Sequence, residues 1–267
     1  MTNQEFTELL IGQGAQLFRD MPWRNDTRPY YVLVSELMLQ QTQVPRVIPK
    51  FNAFIAKFPN EKALAKASLA EVLKYWQGLG YNRRAKYLHE AAKMIVDEFG
   101  GTFPESETDL LRLPGVGKNT AGALRAYSFN QPAIFIETNI RTVYIHHFFN
   151  DRFDVDDKEI VDLLRRTIDM EHPKEFYWAL MDYGSWLKAN GVRNNASSRH
   201  YRKQTPLSGS VREVRGKLLA LLAAEGDILI SYLEHEYQGD DRLNTAINGL
   251  EKDGLVTITR GKLHLTK

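Results

Sequence analysis

Cysteine is absent from all 267 residues. Disulfides, thiolate metal centres and cysteine nucleophiles are excluded with it, and a cytosolic setting is the expectation. No cofactor and no metal are expected. Charge of one sign is missing too. The chain has 35 Lys and Arg against 33 Asp and Glu, a formal net charge of +2, so no global field announces nucleic acid or an anionic membrane. Long apolar runs are also missing. None nears the ~18 residues that cross a bilayer, and the N-terminus lacks a signal-like apolar core, so no membrane partner is expected.

What is present is helical periodicity over roughly the first 190 residues. Phe6, Leu9, Leu10 and Phe18 mark one amphipathic stripe. Further stripes cover 31–43, 51–58, 69–76 and 87–99, with Pro29, Pro45, Pro59 and Pro104 at or near their borders. The pattern predicts an all-α domain of many short helices over 1–190. It breaks over 191–210, where Asn, Ser, Arg, Gly and Pro predict a connector. Beyond it, 211–224, 228–236 and 242–253 read as helices, and 255–265 reads as a hairpin turning at Arg260-Gly261-Lys262. Three helices and a hairpin predict a small winged-helix (α+β) domain over 211–267. Its third helix suits a DNA groove or a protein partner equally. Lys252, Arg260 and Lys262 favour DNA; Glu234, Glu236, Asp240 and Asp241 oppose it.

The most specific stretch is Leu113-Pro114-Gly115-Val116-Gly117-Lys118-Asn119-Thr120-Ala121-Gly122. Apolar residues flank a two-glycine turn, which reads as helix, tight turn, helix. The glycines let backbone N–H groups approach a ligand, the next helix begins with its positive dipole end there, and Lys118 adds a full charge. Together they suit a phosphate. Two basic segments stand elsewhere: Arg83, Arg84 and Lys86, and then Arg193, Arg199, His200, Arg202 and Lys203. Each is either a solvated face or a nucleic-acid contact.

The hairpin at 113–122 resembles that of the helix-hairpin-helix DNA glycosylases, and the MutY branch fits best. Met21-Pro22-Trp23 resembles that branch's L-P-W. Residues 34–44 resemble its S-E-x-M-L-Q-Q-T-Q-V almost letter for letter. Gly78-Leu79-Gly80-Tyr81 with Ala85, Leu88-His89 and Ala91-Ala92 matches a third block, and Met181-Asp182-Tyr183-Gly184 a fourth. The likeness spans roughly residues 5 to 190. It implies a helix-hairpin-helix glycosylase fold and a monomer acting in base excision repair on double-stranded DNA that contains a damaged or mispaired base, with adenine the expected leaving base. It implies a cytoplasmic, nucleoid-associated protein. DNA and base contacts are implied for Trp23, Arg24, Gln40, Gln41, Thr42, Asn82, Leu113, Gly115, Val116, Gly117 and Lys118, with Gln41 probing the opposite base.

Such an enzyme must protonate a leaving base and stabilise a sugar that turns cationic. Two carboxylates in different surroundings can divide those tasks. Glu36 lies among Val32, Leu33, Val34, Leu37, Met38 and Leu39, so burial should raise its pKa. It falls on the family's residue that protonates adenine; a buried structural carboxylate is the alternative. Glu137 falls on the family's catalytic acid, an aspartate there, and its place before Thr138-Asn139 equally suits a helix cap. Glycosylases that also cut the backbone carry a Schiff-base lysine where Asn119 stands. Asn119 has no such amine, and Lys118, one position earlier, points about a hundred degrees away. A monofunctional enzyme is expected, with water as nucleophile.

Three departures accompany the likeness. Lys188 stands where the family places the first of four iron–sulfur cysteines, so Arg193, Arg199 and Tyr201 are candidates for holding that loop instead. Asn82 stands where a tyrosine wedges beside the damaged guanine. Residues 211–267 are too few and too helical for the Nudix-like domain that reads 8-oxoguanine. Release of thymine, uracil, a deaminated or modified base or a bulky or crosslinked adduct therefore remains an alternative. So does a non-catalytic DNA-binding protein.

Overall fold

A computed structural model describes residues 1–150, 152–201 and 205–266. Among them run α1 (Asn3–Leu17), α2 (Pro22–Asn25), α3 (Pro29–Leu39), α4 (Val44–Lys57), α5 (Glu61–Lys66), α6 (Leu69–Trp76), α7 (Arg83–Asp97), α8 (Glu107–Leu110), α9 (Lys118–Phe129), α10 (Thr138–Phe148), α11 (Asp157–Thr167) and α12 (Pro173–Ala189). A 3-10 turn, Asn194–Ser197, follows. Then come α13 (Val211–Glu225), β1 (Ile228–Leu229), α14 (Ile230–Glu236), α15 (Arg242–Lys252), β2 (Val256–Thr259) and β3 (Lys262–Leu265).

These elements form two compact units, neither continuous in sequence. The first comprises Met1–Leu33, Glu105–Arg112 and Val116–Lys203; the second comprises Val34–Pro104, Leu113–Gly115 and Gln204–Lys267. In the first, α12 packs against α1, α9 and α10. Helix α1 starts at a reciprocal cap between Thr2 and Glu5. It buries Phe6 and Leu10, the Phe6 ring lying 5.0 Å from that of Tyr144. The glycine of the fourth block has a steric cause: a Cβ on Gly184 would overlap the carbonyl of Asn139. Helix α12 thus lies hard against the first turn of α10.

In the second unit α7 packs on α5 and α6, and α6 packs on α4 and α13. Phe51, Phe54, Trp76 and Leu88 are fully buried, and Leu218, Leu219 and Leu222 bury the inner face of α13. The sheet has strand order β1-β3-β2 and is antiparallel throughout. Helices α13, α14 and α15 with this hairpin have the content expected for 211–267.

Several predicted bounds move, each for a physical reason. Helix α6 falls where the stripe put it, opened by a Ser68–Glu71 capping box. Helix α3 stops at Leu39, short of 43, because Gln41 takes a left-handed backbone, φ 57°. Helix α4 starts at Val44, well before 51, with Pro45 in its first turn, where a missing N–H costs nothing. Ile228 and Leu229 form a strand paired to Leu263 and Lys262, where the sequence read as the start of a helix. The connector contains the 3-10 turn and a parallel bridge between Val155 and Ser198.

Candidate active site

The hairpin turn is built from glycines with different tasks. Gly115 adopts φ 79°, and a Cβ there would meet that of Tyr87 at 2.8 Å, so both backbone and space require glycine. Gly117 precedes α9 with an extended backbone and has nothing near its missing Cβ. Its lack of side chain leaves the surface open. No side chain caps α9, so its first N–H groups and exposed Lys118 remain available to an anion. Leu113 and Val116 are buried and anchor the turn.

Asn119, the second residue of α9, donates from Nδ2 to the carbonyl of Ile136 at 2.8 Å and also hydrogen-bonds the carboxyl of Glu137. Glu137 itself occupies the N-cap of α10, yet its side chain makes no capping hydrogen bond. The carboxyl is therefore not engaged in capping the helix it precedes. Burial pushes its pKa above the usual carboxylate value, opposed by the charge of Arg141 and by the Asn119 hydrogen bond. Arg141 spends its fork on Asp157, at 2.8 and 2.7 Å. Two residues on, Asn139 Oδ1 is buried without a hydrogen-bond partner among the described residues. In its deprotonated form such a carboxyl gains from a positive charge that develops nearby.

Glu36 lies on α3 between buried Ser35 and buried Leu37 and is itself half-buried. Beyond it the chain turns through Gln40, Gln41 and Thr42. One residue fastens this loop. The Arg84 guanidinium, 6% exposed, donates to the carbonyls of Leu37, Met38 and Gln40 at 2.6, 2.9 and 2.6 Å. It also reaches the carbonyls of Leu79 and Gly80 at 3.2 and 3.0 Å and Thr42 Oγ1 at 3.3 Å. Desolvation pushes its pKa down to about 10, leaving it charged at neutral pH. Tyr81 projects from the second loop with φ 47°, and Asn82, half-buried, opens α7 without capping it.

Residues 34–168 match the family described as HhH-GPD superfamily base excision DNA repair protein. The chain belongs to this superfamily. Adenine DNA glycosylase of Buchnera aphidicola subsp. Baizongia pistaciae is 38% identical over 178 residues, covering 64% of this chain and 50% of that protein. Adenine DNA glycosylase of Mycobacterium tuberculosis H37Rv is 33% identical over 273 residues, covering 94% and 90%. The chain thus spans about half the length of the first of these relatives. A thermostable thymine-DNA glycosylase structure superposes with a TM-score of 0.63 at 24% identity, covering 72% of this chain and 90% of that one, a likeness of fold.

This HhH-GPD protein uses several of its expected surface residues internally. Arg24 is 7% exposed and binds buried Asp182 through two hydrogen bonds, 2.6 and 3.0 Å. Arg19 is a second partner of the same carboxylate, its Nε donating at 2.6 Å. Arg24 is thus committed to the fold, and Trp23 beside it is buried. Of the cluster at 83–86, Arg84 is the loop clasp, Arg83 pairs with Asp253, and Lys86 donates to the Asp253 carbonyl at 2.9 Å. Arg215 takes the other Asp253 oxygen. The cluster therefore fastens the C-terminal segment rather than forming an open basic face.

In the loop without cysteines, Arg199 grips Asp154 at 2.7 and 3.0 Å and Asp156 at 2.7 Å. Asn194 Nδ2 donates to the Thr142 carbonyl, and Thr142 Oγ1 donates to Asn195 Oδ1, both at 2.9 Å. Arg193 caps the Lys188 carbonyl at 2.7 Å. Arg202 and Lys203 lie outside the described residues. Sequence reading missed Tyr81, Arg141 and the two asparagines of this latch. The one local signal was the aromatic ring inside the Gly78–Tyr81 block.

Proposed function

We propose that the chain is a monofunctional DNA glycosylase that hydrolyses the N-glycosidic bond of adenine in a mispair. The observation that carries this reading is the Glu137 carboxyl, which caps no helix, hydrogen-bonds Asn119 and has its pKa raised by burial. In the proposed reaction Glu36 gives a proton to N7 of the flipped adenine. The C1′–N9 bond breaks with its electron pair going to the base, and the sugar becomes an oxocarbenium ion. Ionised Glu137 stabilises that cation. Water adds to C1′ and its proton returns to Glu36, left ionised by protonation of the base, leaving an intact abasic site. Asn119 positions Glu137 and supplies no amine for a covalent intermediate.

The uncapped start of α9, the open Gly117 and Lys118 take duplex backbone, which supplies affinity without sequence. To Gln40, Gln41, Thr42 and Asn82, on the loops around 40–42 and 78–82, this reading assigns the contacts to base edges. The protein acts as a monomer in the cytoplasm, on nucleoid DNA. The relatives named adenine DNA glycosylase support adenine as the leaving base.

The test is a panel of duplexes covering each mispair and the common lesions, with alkali revealing abasic sites. Release of adenine from one or more mispairs, dependent on alkali for strand cleavage, is expected. Strand breaks without alkali, or borohydride trapping of a protein–DNA adduct, would refute the monofunctional reading. Release of another base in preference to adenine would refute the substrate.

A further inference from the structure

At the start of α10 two charged side chains stand one turn apart: Glu137, the N-cap residue, and Arg141. The Arg141 backbone N–H donates to the Glu137 carbonyl at 2.9 Å and closes that turn. The Arg141 guanidinium acts on the Glu137 carboxyl by its charge, whereas Asn119 acts by a hydrogen bond. The donors of the guanidinium go to Asp157, Nε at 2.8 Å and Nη2 at 2.7 Å. A fork shared by two carboxylate oxygens fixes a guanidinium in plane and in place. The two side chains are only 18% and 28% exposed, so salt screens the pair little.

Asp157 is itself fixed. It opens α11, where the helix dipole favours an anion, and Asp156 before it forms a capping box with Glu159. The approach to α11 is bridged to the segment after the 3-10 turn. The Val155 N–H donates to the Ser197 carbonyl at 2.8 Å, and the Arg199 N–H donates to the Val155 carbonyl at 3.0 Å. The other ionisable groups on the elements around α10 are engaged elsewhere or stand in solvent. On α12, Asp182 holds Arg19 and Arg24, Tyr183 hydrogen-bonds His147, and Tyr177 donates to the Ala133 carbonyl. On α11, Glu159 pairs with Arg152, and Lys158, Asp162, Arg165 and Arg166 are exposed. Lys118 on α9 is exposed, His146 and His147 lie at the far end of α10, and the 3-10 turn has no ionisable residue. Among the described residues, Arg141 is the charge that acts on Glu137.

We propose that Arg141, locked by Asp157, is the counter-charge that keeps Glu137 ionised for the cationic sugar, an assignment that rests on the glycosylase reading. Burial alone holds a carboxyl neutral to higher pH, and a neutral acid cannot stabilise a cation. A cation bonded directly to the carboxylate would satisfy its charge before the sugar could. Arg141 gives its donors to Asp157 and acts on Glu137 through space. It therefore favours the anion without occupying the oxygens that face the reaction. Arg141 acts through Glu137 and is a positioning residue. Asp157 has two effects: it fixes the cation, and its own negative charge tempers it.

The test reads Glu137 itself in the full chain without DNA, by carbon NMR titration of protein labelled at its glutamate carboxyls. The signal is identified by its loss in Glu137→Gln. Arg141→Met removes the cation, so Glu137 should titrate about one pH unit higher than in wild type. Asp157→Asn removes the anion that offsets Arg141 and repels Glu137, so Glu137 should titrate at least about half a pH unit lower. Arg141→Lys keeps the charge and should recover at least about half of the Arg141→Met shift. In single-turnover excision the acid limb of each variant should move in the same direction and by the same amount. A merely structural role would lower the plateau rate or the stability and leave the limb in place.

A Glu137 titration that Arg141→Met moves down, or leaves within about 0.3 pH unit of wild type, overturns the proposal. So does an upward movement in Asp157→Asn, which decides alone if Arg141→Met does not fold. Excision of adenine by wild type is measured alongside. If the titrations move as expected and no base is released, the glycosylase reading fails while the charge coupling stands. If adenine is released and the titrations do not move, this proposal alone fails.

Discussion

Replacing Arg84 with methionine keeps the length of the side chain and removes its donors. Three acceptors of the guanidinium, the carbonyls of Leu37, Met38 and Leu79, are bonded to it out of contact with water. Hydrogen bonds to a charged group contribute about 1.5–3 kcal/mol each. The gross loss from these three is therefore about 5–9 kcal/mol. The Gln40 and Gly80 carbonyls are only part-buried and can be rewetted. Against this stands the cost of burying the cation. A fall from 12.5 to about 10 corresponds to roughly 3 kcal/mol, which methionine does not incur. The hydrogen bonds win, and Arg84→Met should destabilise the protein by about 2–5 kcal/mol. Urea unfolding followed by circular dichroism reads the change. Arg84→Lys should recover less than half, because a point ammonium cannot serve two loops as a planar fork does. If Arg84→Met lies within about 1 kcal/mol of wild type, the carbonyls find other partners and the clasp reading is wrong.

Glu36→Gln and Glu137→Gln should each lower single-turnover excision by at least about a hundredfold while duplex affinity stays nearly unchanged; a loss within about threefold removes that acid from the mechanism. Glu137 works as an anion, so excision should rise with pH through its raised pKa, the acid limb lying above the ordinary glutamate value of 4.5. Asn119→Ala deletes a hydrogen bond that lowers that pKa, so the limb of the rate–pH profile should move to higher pH; a limb that stays put or moves down contradicts the assignment. Gly117→Val should weaken binding to all duplexes alike without unfolding the chain, whereas Gly115→Val should unfold it, by its φ and its contact with Tyr87. Lys118→Ala should lower the salt dependence of binding by about one ion, and a loss confined to one sequence would contradict a backbone contact.

Local signals in the sequence were legible where the structure uses them locally. The Leu113–Gly122 turn, the 69–76 stripe of α6 and the position of Glu137 before α10 all follow from residues within a few places of one another. What escaped is long-range. Arg84 reads as a member of a basic cluster until Leu37 and Gln40 are seen at its head. Arg24 reads as a contact for DNA until Asp182, 158 positions away, is found against it. Lys86 reaches Asp253 across 167 positions. Charge patterning gives the sign of a side chain and not its partner. Strand β1 escaped for a like reason: two apolar residues beside a helix carry no period, and their partners lie 33 and 35 positions on.

The interleaving of the two units constrains how the chain can fold. Helix α1 packs on α12, and the Arg19–Asp182 pair closes over 163 residues. Asp253 must return across 167 residues to meet Lys86. Neither unit can complete its core from one end of a growing chain, since each waits for sequence the other interrupts. Loops of that length close slowly, and the waiting segments expose apolar helix faces meanwhile. Ribosome-bound chains stopped before α13 should therefore leave the α6 face uncovered and bind holdase chaperones, while chains released after β3 should not. Circular permutants that join the native ends and open the chain at an exposed loop are the corresponding means of separating synthesis order from final stability.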